Sequence, residues 1–317
     1  MCMKRKVRKK KPWRSSDTGL TLLTLPTLLW YILFCYLPMF GIIIAFKRYR
    51  PVPGKGFIYS LFFGSPWVGL ENFRFLFLSP QMPQIIRNTL LYNIAFIVID
   101  TVLPVALAIL LSYLYSSRLR GLTQTASMLP HFLSWVIVSY FLFAFLSTDK
   151  GLLNHLLQSA GADPVKWYQE PAAWPFILVI THTWKAFGYG LVMYAAYLTA
   201  INPTLYDSAL IDGATVSQQI RYITIPHLRP IIIVLLILNL GNILNTDFGL
   251  FYLATRNSGP ILSTTQTIDV FIYKALMEQT NYGYSAAASL MQNGIGCILL
   301  LGANFITKKL NPEEGLI

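Results

Sequence analysis

The chain has 317 residues, of which 55% are hydrophobic and only 12% charged, with a formal net charge of +12. That balance excludes an ordinary soluble domain, in which about a quarter of residues are charged. The positive charge does not point to nucleic acid either, because eight basic residues crowd into residues 4–14 instead of alternating with stacking aromatics.

Taken in chain order, the first feature is this basic block, Lys4, Arg5, Lys6, Arg8, Lys9, Lys10, Lys11 and Arg14. It reads as a cytoplasmic tail (residues 1–19) that meets anionic lipid and is held on the negative side of a membrane. The apolar run 20–46 that follows is too long for a cleavable signal and has no small-x-small site after it, so it reads as a span. Further spans are expected near 88–115, 125–148, 173–200, 229–252 and 285–307, each close to the ~20 residues that cross a hydrocarbon core. Six spans place both termini on one side. The tail, Arg118 with Arg120, the loop before Arg229, and Lys308 with Lys309 then lie inside, as the positive-inside tendency requires.

One exterior loop runs against that tendency. Residues 47–87 carry Lys47, Arg48, Arg50, Lys55, Arg74 and Arg87, although long segments translocate largely regardless of charge. Within it, 66–78 mixes aromatics with Glu71 and Arg74 and predicts an amphipathic helix at the interface. A second short exterior helix is expected at 268–280. Cys2, Cys35 and Cys297 have no redox or metal spacing, and His131, His155, His182 and His227 lie too far apart in sequence to suggest a metal site.

Between the fourth and fifth spans, the loop at 203–228 has helical content of its own. Tyr206, Ala209, Leu210 and Ala214 form an apolar stripe at helical spacing, Gly213 offers a bend, and Pro226 is expected to end the segment before the next span. Such a helix, held by the ends of two spans, is either a lever seated in a cytoplasmic partner or a connector lying on the membrane surface.

This loop resembles the ATPase-docking signature of the transmembrane permeases of bacterial type I ATP-binding-cassette importers, in their carbohydrate-uptake branch. The family pattern runs Glu-Ala-Ala, three residues, Gly, nine residues, Ile-x-Leu-Pro. The matching positions are Asp207-Ser208-Ala209, Gly213 and Ile223-Thr224-Ile225-Pro226, with Asp212-Gly213-Ala214 matching the centre. Asp207 stands where Glu is usual and Ser208 where Ala is usual, so the charge survives with a shorter reach.

The resemblance extends over most of the chain, through YLPMFGIIIAFKRYRP at 36–51, WVGLENF at 67–73, Asn88-Thr89-Leu90, LPHFLSW at 129–135, and Trp184-Lys185 with Gly188. The first and fourth of these are similar to the subgroup that imports complex oligosaccharides derived from polysaccharides. The resemblance implies an all-α membrane fold of six transmembrane helices, residues 20–307, with a cytoplasmic coupling helix and a cytoplasmic tail at 308–317. It further implies location in the bacterial cytoplasmic membrane, a second and different permease, two ATPase subunits and an extracytoplasmic solute-binding protein. The chain has no phosphate loop of its own, so ATP and magnesium are expected on the partner ATPases.

Polar side chains at bilayer depth are costly unless they face one another or a water-filled path. Asn239, Asn242 and Asn245 recur every three residues on the fifth span, followed by Asp247, and amides suit sugar hydroxyls. Trp184, Lys185, Tyr189 and Tyr194 are expected at similar depth on the fourth span. There Lys185 has three possible partners: an acidic sugar, Asp100, or a helix-end carbonyl. Gln292 and Asn293 either complete the path or bond between helices.

Two other classes of function compete. An intramembrane hydrolase using Ser134 or Ser139 with His131 or His182 lacks a nucleophile elbow. A secondary transporter or channel would favour more midplane acids than Asp100 alone, and no internal repeat is evident.

Overall fold

A computed structural model describes residues 15–114 and 116–311. The basic block, Cys2 and the last six residues lie outside these bounds. Among the described residues five helices are long and apolar enough to cross a membrane, or six if one sharply bent pair counts as a single span.

The first helix, α1 (Thr18–Phe46), is almost wholly exposed within this chain until its last turns. Its irregularity is local chemistry. Pro38 has no amide to donate, and just ahead of it the Leu37 amide reaches back five residues to the Ile32 carbonyl, opening one wide turn. Beyond it the backbone tightens into the 3₁₀ segment Phe40–Phe46.

The loop that runs against the positive-inside tendency neutralises part of its own charge. Lys47 is buried, and its Nζ donates to the Leu61 and Phe62 carbonyls at 2.7 and 3.1 Å, capping the end of α2 (Phe57–Phe62). Arg48 is paired with both carboxylate oxygens of Glu71. The expected interfacial helix is present as α3 (Glu71–Leu78). Its buried Asn72 donates to the Ala45 and Lys47 carbonyls, pinning the end of α1. Gly283 leaves room for Asn72, since a Cβ there would lie 2.8 Å from the amide.

Helix α4 (Met82–Ser112) is straight enough to span despite Pro104. The third expected span differs: α5 (Ser117–Phe132) and α6 (Trp135–Leu146) meet at 93°. Pro130 weakens the last turn of α5, Leu133 and Ser134 are extended, and the Ser134 hydroxyl accepts the Ile137 amide to start a new helix. A short α7 (Leu152–Ser159) precedes α8 (Trp174–Leu198), which packs along α4 and α5.

After α9 (Pro203–Ile211), one continuous helical run, α10 (Val216–Gly241), carries the fifth span. This corrects two expectations. Pro226 does not end a segment, because the Ile225 amide reaches back to the Ile220 carbonyl and a wide turn absorbs the proline, as in α1. The span also stops at Gly241 instead of running to 252, and residues 242–247 turn before the separate π segment Gly249–Ala254. The short helix expected at 268–280 is α11 (Ile268–Met277), and α12 (Tyr282–Leu310) closes the bundle. Helices α10 and α12 cross in backbone contact, since a Cβ on Gly296 would sit 2.2 Å from the Gly241 carbonyl oxygen.

Candidate functional site: a coupling loop and a polar cavity

The loop expected to couple to a partner is a knuckle closed by its own hydrogen bonds. Asn202 caps α9 by accepting the Thr204 amide, and at the other end Gly213 takes φ +78°. The Gly213 and Ala214 amides return to the Leu210 and Ala209 carbonyls, so the left-handed residue lets the last turn satisfy its own acceptors. Thr215 and Gln218 then form a capping box that opens α10.

Tyr206 and Ala209 face inward, and the Tyr206 hydroxyl meets Thr224 Oγ1 at 2.9 Å, tying α9 to the start of the next span. Leu210 does not belong to this inward stripe; it is 68% exposed, next to Ile211 at 86%. With Val216, these give the knuckle an apolar outer surface on which Asp207 and Asp212 are also exposed. Behind it lies a cavity of about 350 Å³ lined by the ends of α4 and α8, the first turns of α5 and Tyr206. Arg120 enters it with Nε buried and unpartnered.

The second constellation lies near mid-bundle. Asn93, Phe96, Ile97 and Asp100 of α4, His182 of α8, and Asn239, Asn242, Asn245 and Asp247 line one cavity of about 180 Å³. Asn242 caps the end of α10, while Asn245 and Asp247 come from the turn beyond it, so an unwound stretch and not a helical face gathers them. Asn93 donates to the Ile243 carbonyl at 2.8 Å and fixes that turn against α4. Asp269 holds it from the other side, accepting the Thr246 amide and hydroxyl and the Gln292 amide.

The midplane acid Asp100 pairs with His182, Nε2 to Oδ2 at 2.9 Å, while the imidazole stacks on Phe96 at 3.7 Å. Asp100 Oδ1 is buried and unpartnered, which leaves acceptor capacity at the cavity wall. The sequence reading singled out Asp100 and His182 separately but missed Asn93 and the pairing itself. The spacing of 82 residues between the two partners gives no signal.

Lys185 does not meet Asp100. Its Nζ donates to the His131 carbonyl at 2.8 Å, at the broken end of α5 where helix carbonyls lack partners, and it lies 5.2 Å above the Trp135 ring. Trp135 in turn donates to Asp247, linking the break to the cavity. The remaining expected path residues lie elsewhere. Tyr189 stacks on His131, Trp184 lines an apolar groove between α4 and α8, and Tyr194 is buried in the core with Leu191 and Leu228. Gln292 is buried and donates to the Leu244 carbonyl and Asp269, and Asn293 is exposed and donates to Ser289 of its own helix. Among the described residues no cluster of ligating side chains could hold a metal ion.

A bundle of apolar helices with a projecting, left-handed knuckle at one end and a polar cavity at mid-depth defines a membrane permease. Residues 101–309 match the family described as "Binding-protein-dependent transport system inner membrane component". The chain belongs to that family and is a permease subunit of an ATP-binding-cassette importer. It is 35% identical over 300 residues to Protein LplB of Bacillus subtilis (strain 168), covering 95% of this chain and 91% of the relative. It is 33% identical to the polygalacturonan/rhamnogalacturonan transport system permease protein YteP of the same organism, over 94% and 89% of the two chains. Among solved structures it is similar to a chain of a bacterial ABC transporter involved in the import of the acidic polysaccharide alginate. That match has a TM-score of 0.83 at 32% identity, over 93% of this chain and 97% of the other. A second structure of the alginate transporter, in complex with alginate pentasaccharide-bound periplasmic protein, matches with a TM-score of 0.82.

Proposed function

We propose that the chain forms one half of the membrane path of an oligosaccharide importer and that the α9 knuckle seats in a cytoplasmic ATPase. Under this reading both termini and the knuckle lie in the cytoplasm, and the end bearing residues 254–281 faces outward. ATP and magnesium belong to two ATPase subunits, consistent with the absence of a phosphate loop here. A second, different permease completes the path, and the largely unpartnered α1 offers it, or lipid, an apolar surface. An extracytoplasmic solute-binding protein delivers the substrate, in keeping with the periplasmic protein of the alginate complex. The chain itself catalyses no reaction and binds no nucleic acid.

The observation that carries the proposal is the knuckle: Leu210, Ile211 and Val216 are exposed on a joint whose Asp212, Gly213 and Ala214 amides all return to the carbonyls of α9. An exposed apolar surface would also suit a connector lying on lipid, so the two readings are separated by whether the ATPase is retained when these residues become charged. The test is Ile211→Glu together with Leu210→Glu. These side chains are mostly exposed, so the permease remains folded, and the expected result is loss of the ATPase on co-purification and of ATP-driven uptake. Retention of the ATPase at the wild-type ratio would refute the docking role.

The oligosaccharide assignment is supported by the amide-lined cavity, whose paired donors and acceptors suit hydroxyl groups, and by the substrates named for YteP and the alginate transporter.

A further inference from the structure

At the end of the bundle away from the knuckle, a second pocket of about 250 Å³ lies between α6 and the end of the π segment, lined by Ser139, Tyr140, Tyr252, Leu253, Arg256 and Asn257. Three observations set it apart. Arg256 and Asn257 both adopt left-handed backbone, φ 54° and 48°, closing the end of the π segment as their amides return to the Leu253 and Tyr252 carbonyls, and both side chains line the pocket. Among the described residues Arg256 forms no ion pair; its guanidinium is held 4.1 Å from the Phe143 ring, exposed and without a carboxylate partner. The Asn257 Oδ1 is buried with no hydrogen-bond donor.

A cluster of aromatic rings lies between the pocket and the turn that bears Asp247. Tyr252 stacks on Phe248 at 4.8 Å, and Tyr273 packs against both at 4.7 and 4.8 Å. Phe248 follows Asp247 directly, so aromatic faces lead from Arg256 to the amides over roughly 13 Å at helical rise. Aromatic faces suit the apolar faces of sugar rings, and a guanidinium fork matches a carboxylate in geometry as well as charge.

We infer that Arg256, with Tyr140 and Tyr252, forms an entry subsite that selects oligosaccharides bearing carboxylate groups. This rests on the oligosaccharide reading above and adds to it the charge of the substrate and the residue that reads it. The cation at the mouth draws the acidic sugar in against the nearby Glu278 carboxylate, which lies 3.5 Å from the Asn257 amide nitrogen.

The test uses the complete importer in proteoliposomes, with tetragalacturonate and its fully methyl-esterified, uncharged form as probes. Arg256→Gln is expected to lower uptake of tetragalacturonate roughly tenfold, as for loss of a charge-assisted pair, and to change uptake of the ester less than about twofold. Arg256→Lys keeps the charge without the fork and is expected to retain about a third of the wild-type rate on tetragalacturonate. Equal loss for both probes, no loss for either, or failure of Lys to exceed Gln overturns the subsite. A Gln effect that disappears in vesicles without anionic lipid assigns Arg256 to a headgroup phosphate and also overturns it. Wild-type vesicles that take up neither probe overturn this inference, and the oligosaccharide reading itself falls if a panel of neutral oligosaccharides is not taken up either.

Discussion

Gly188 is where a single methyl group should do the most damage. At the crossing of α8 and α5, a Cβ on Gly188 would lie 1.8 Å from the Ser127 carbonyl oxygen and 2.4 Å from its carbon. Real Cβ atoms stay beyond 3.0 Å, so the helices must part by about 1.2 Å, and the obstacle is backbone that cannot rotate away. His131 lies one turn beyond Ser127, and Lys185 one turn before Gly188. The same separation therefore stretches the 2.8 Å bond from Lys185 to the His131 carbonyl to about 4 Å, past hydrogen-bonding range. Overpacking of this kind costs about 1–3 kcal/mol and loss of the bond about 1 kcal/mol more. For a protein of this size the Tm should fall by roughly 3–6 °C. Thermal unfolding of Gly188→Ala in detergent measures it, with Gly302→Ala as the control, since nothing lies within 4 Å of a Cβ there. Because both changes act on one bond, Lys185→Met should cost less in the Gly188→Ala background than alone. A Tm within about 1 °C of wild type, or full additivity of the two changes, would refute the reasoning.

Other outcomes follow from the same geometry. Gly213→Val puts a β-branched residue at φ +78° and should cost roughly 1–2 kcal/mol locally, read as weaker ATPase co-purification with the spans intact. Asp269→Ala strands the Thr246 amide and takes one of two partners from the Thr246 hydroxyl and the Gln292 amide, and a Tm loss corresponding to about 2 kcal/mol is expected, with Asp269→Asn in between. Asn242→Ala, at an exposed cavity position whose amide nitrogen returns to the Leu238 carbonyl of its own helix and whose oxygen accepts from Asn245, should cut transport with little change in Tm. Glu71→Gln, by contrast, breaks a pair in which both side chains are more than half exposed, and less than about 1 kcal/mol is expected at any salt concentration.

Local patterns were legible in the sequence because their physics is local. Uncharged stretches long enough to cross lipid, the turn chemistry around Gly213, and the short helix at Ile268–Met277 depend on neighbours within a few residues, and the structure carries all three. The span boundaries slipped at two prolines, Pro226, which was expected to end a segment, and Pro130, which lay inside the expected span 125–148. Pro130 lies at a break, whereas Pro226 is carried through by a wide turn, and the difference rests on whether Leu133 and Ser134 stay extended, which the packing of α5 on α8 decides. Asn239 and Asn242 were found by spacing, yet Asn245 and Asp247 reach the cavity from a turn that Asn93 and Asp269 pin from other helices.

The sequence by itself determined that the chain lives in a membrane, that the loop around Gly213 carries helical content and to which family the chain belongs, because hydropathy and short signatures are properties of contiguous residues. Only the tertiary structure decided which polar groups share a cavity. It paired Asp100 with His182 and set Lys185 against a helix-end carbonyl. It also withdrew Tyr194 and Gln292 into the packed interior. The reason is steric and specific: where helices approach as closely as Gly188 to Ser127 and Gly296 to Gly241, their rotation is fixed by backbone contact, and that rotation chooses which face of each span meets the path.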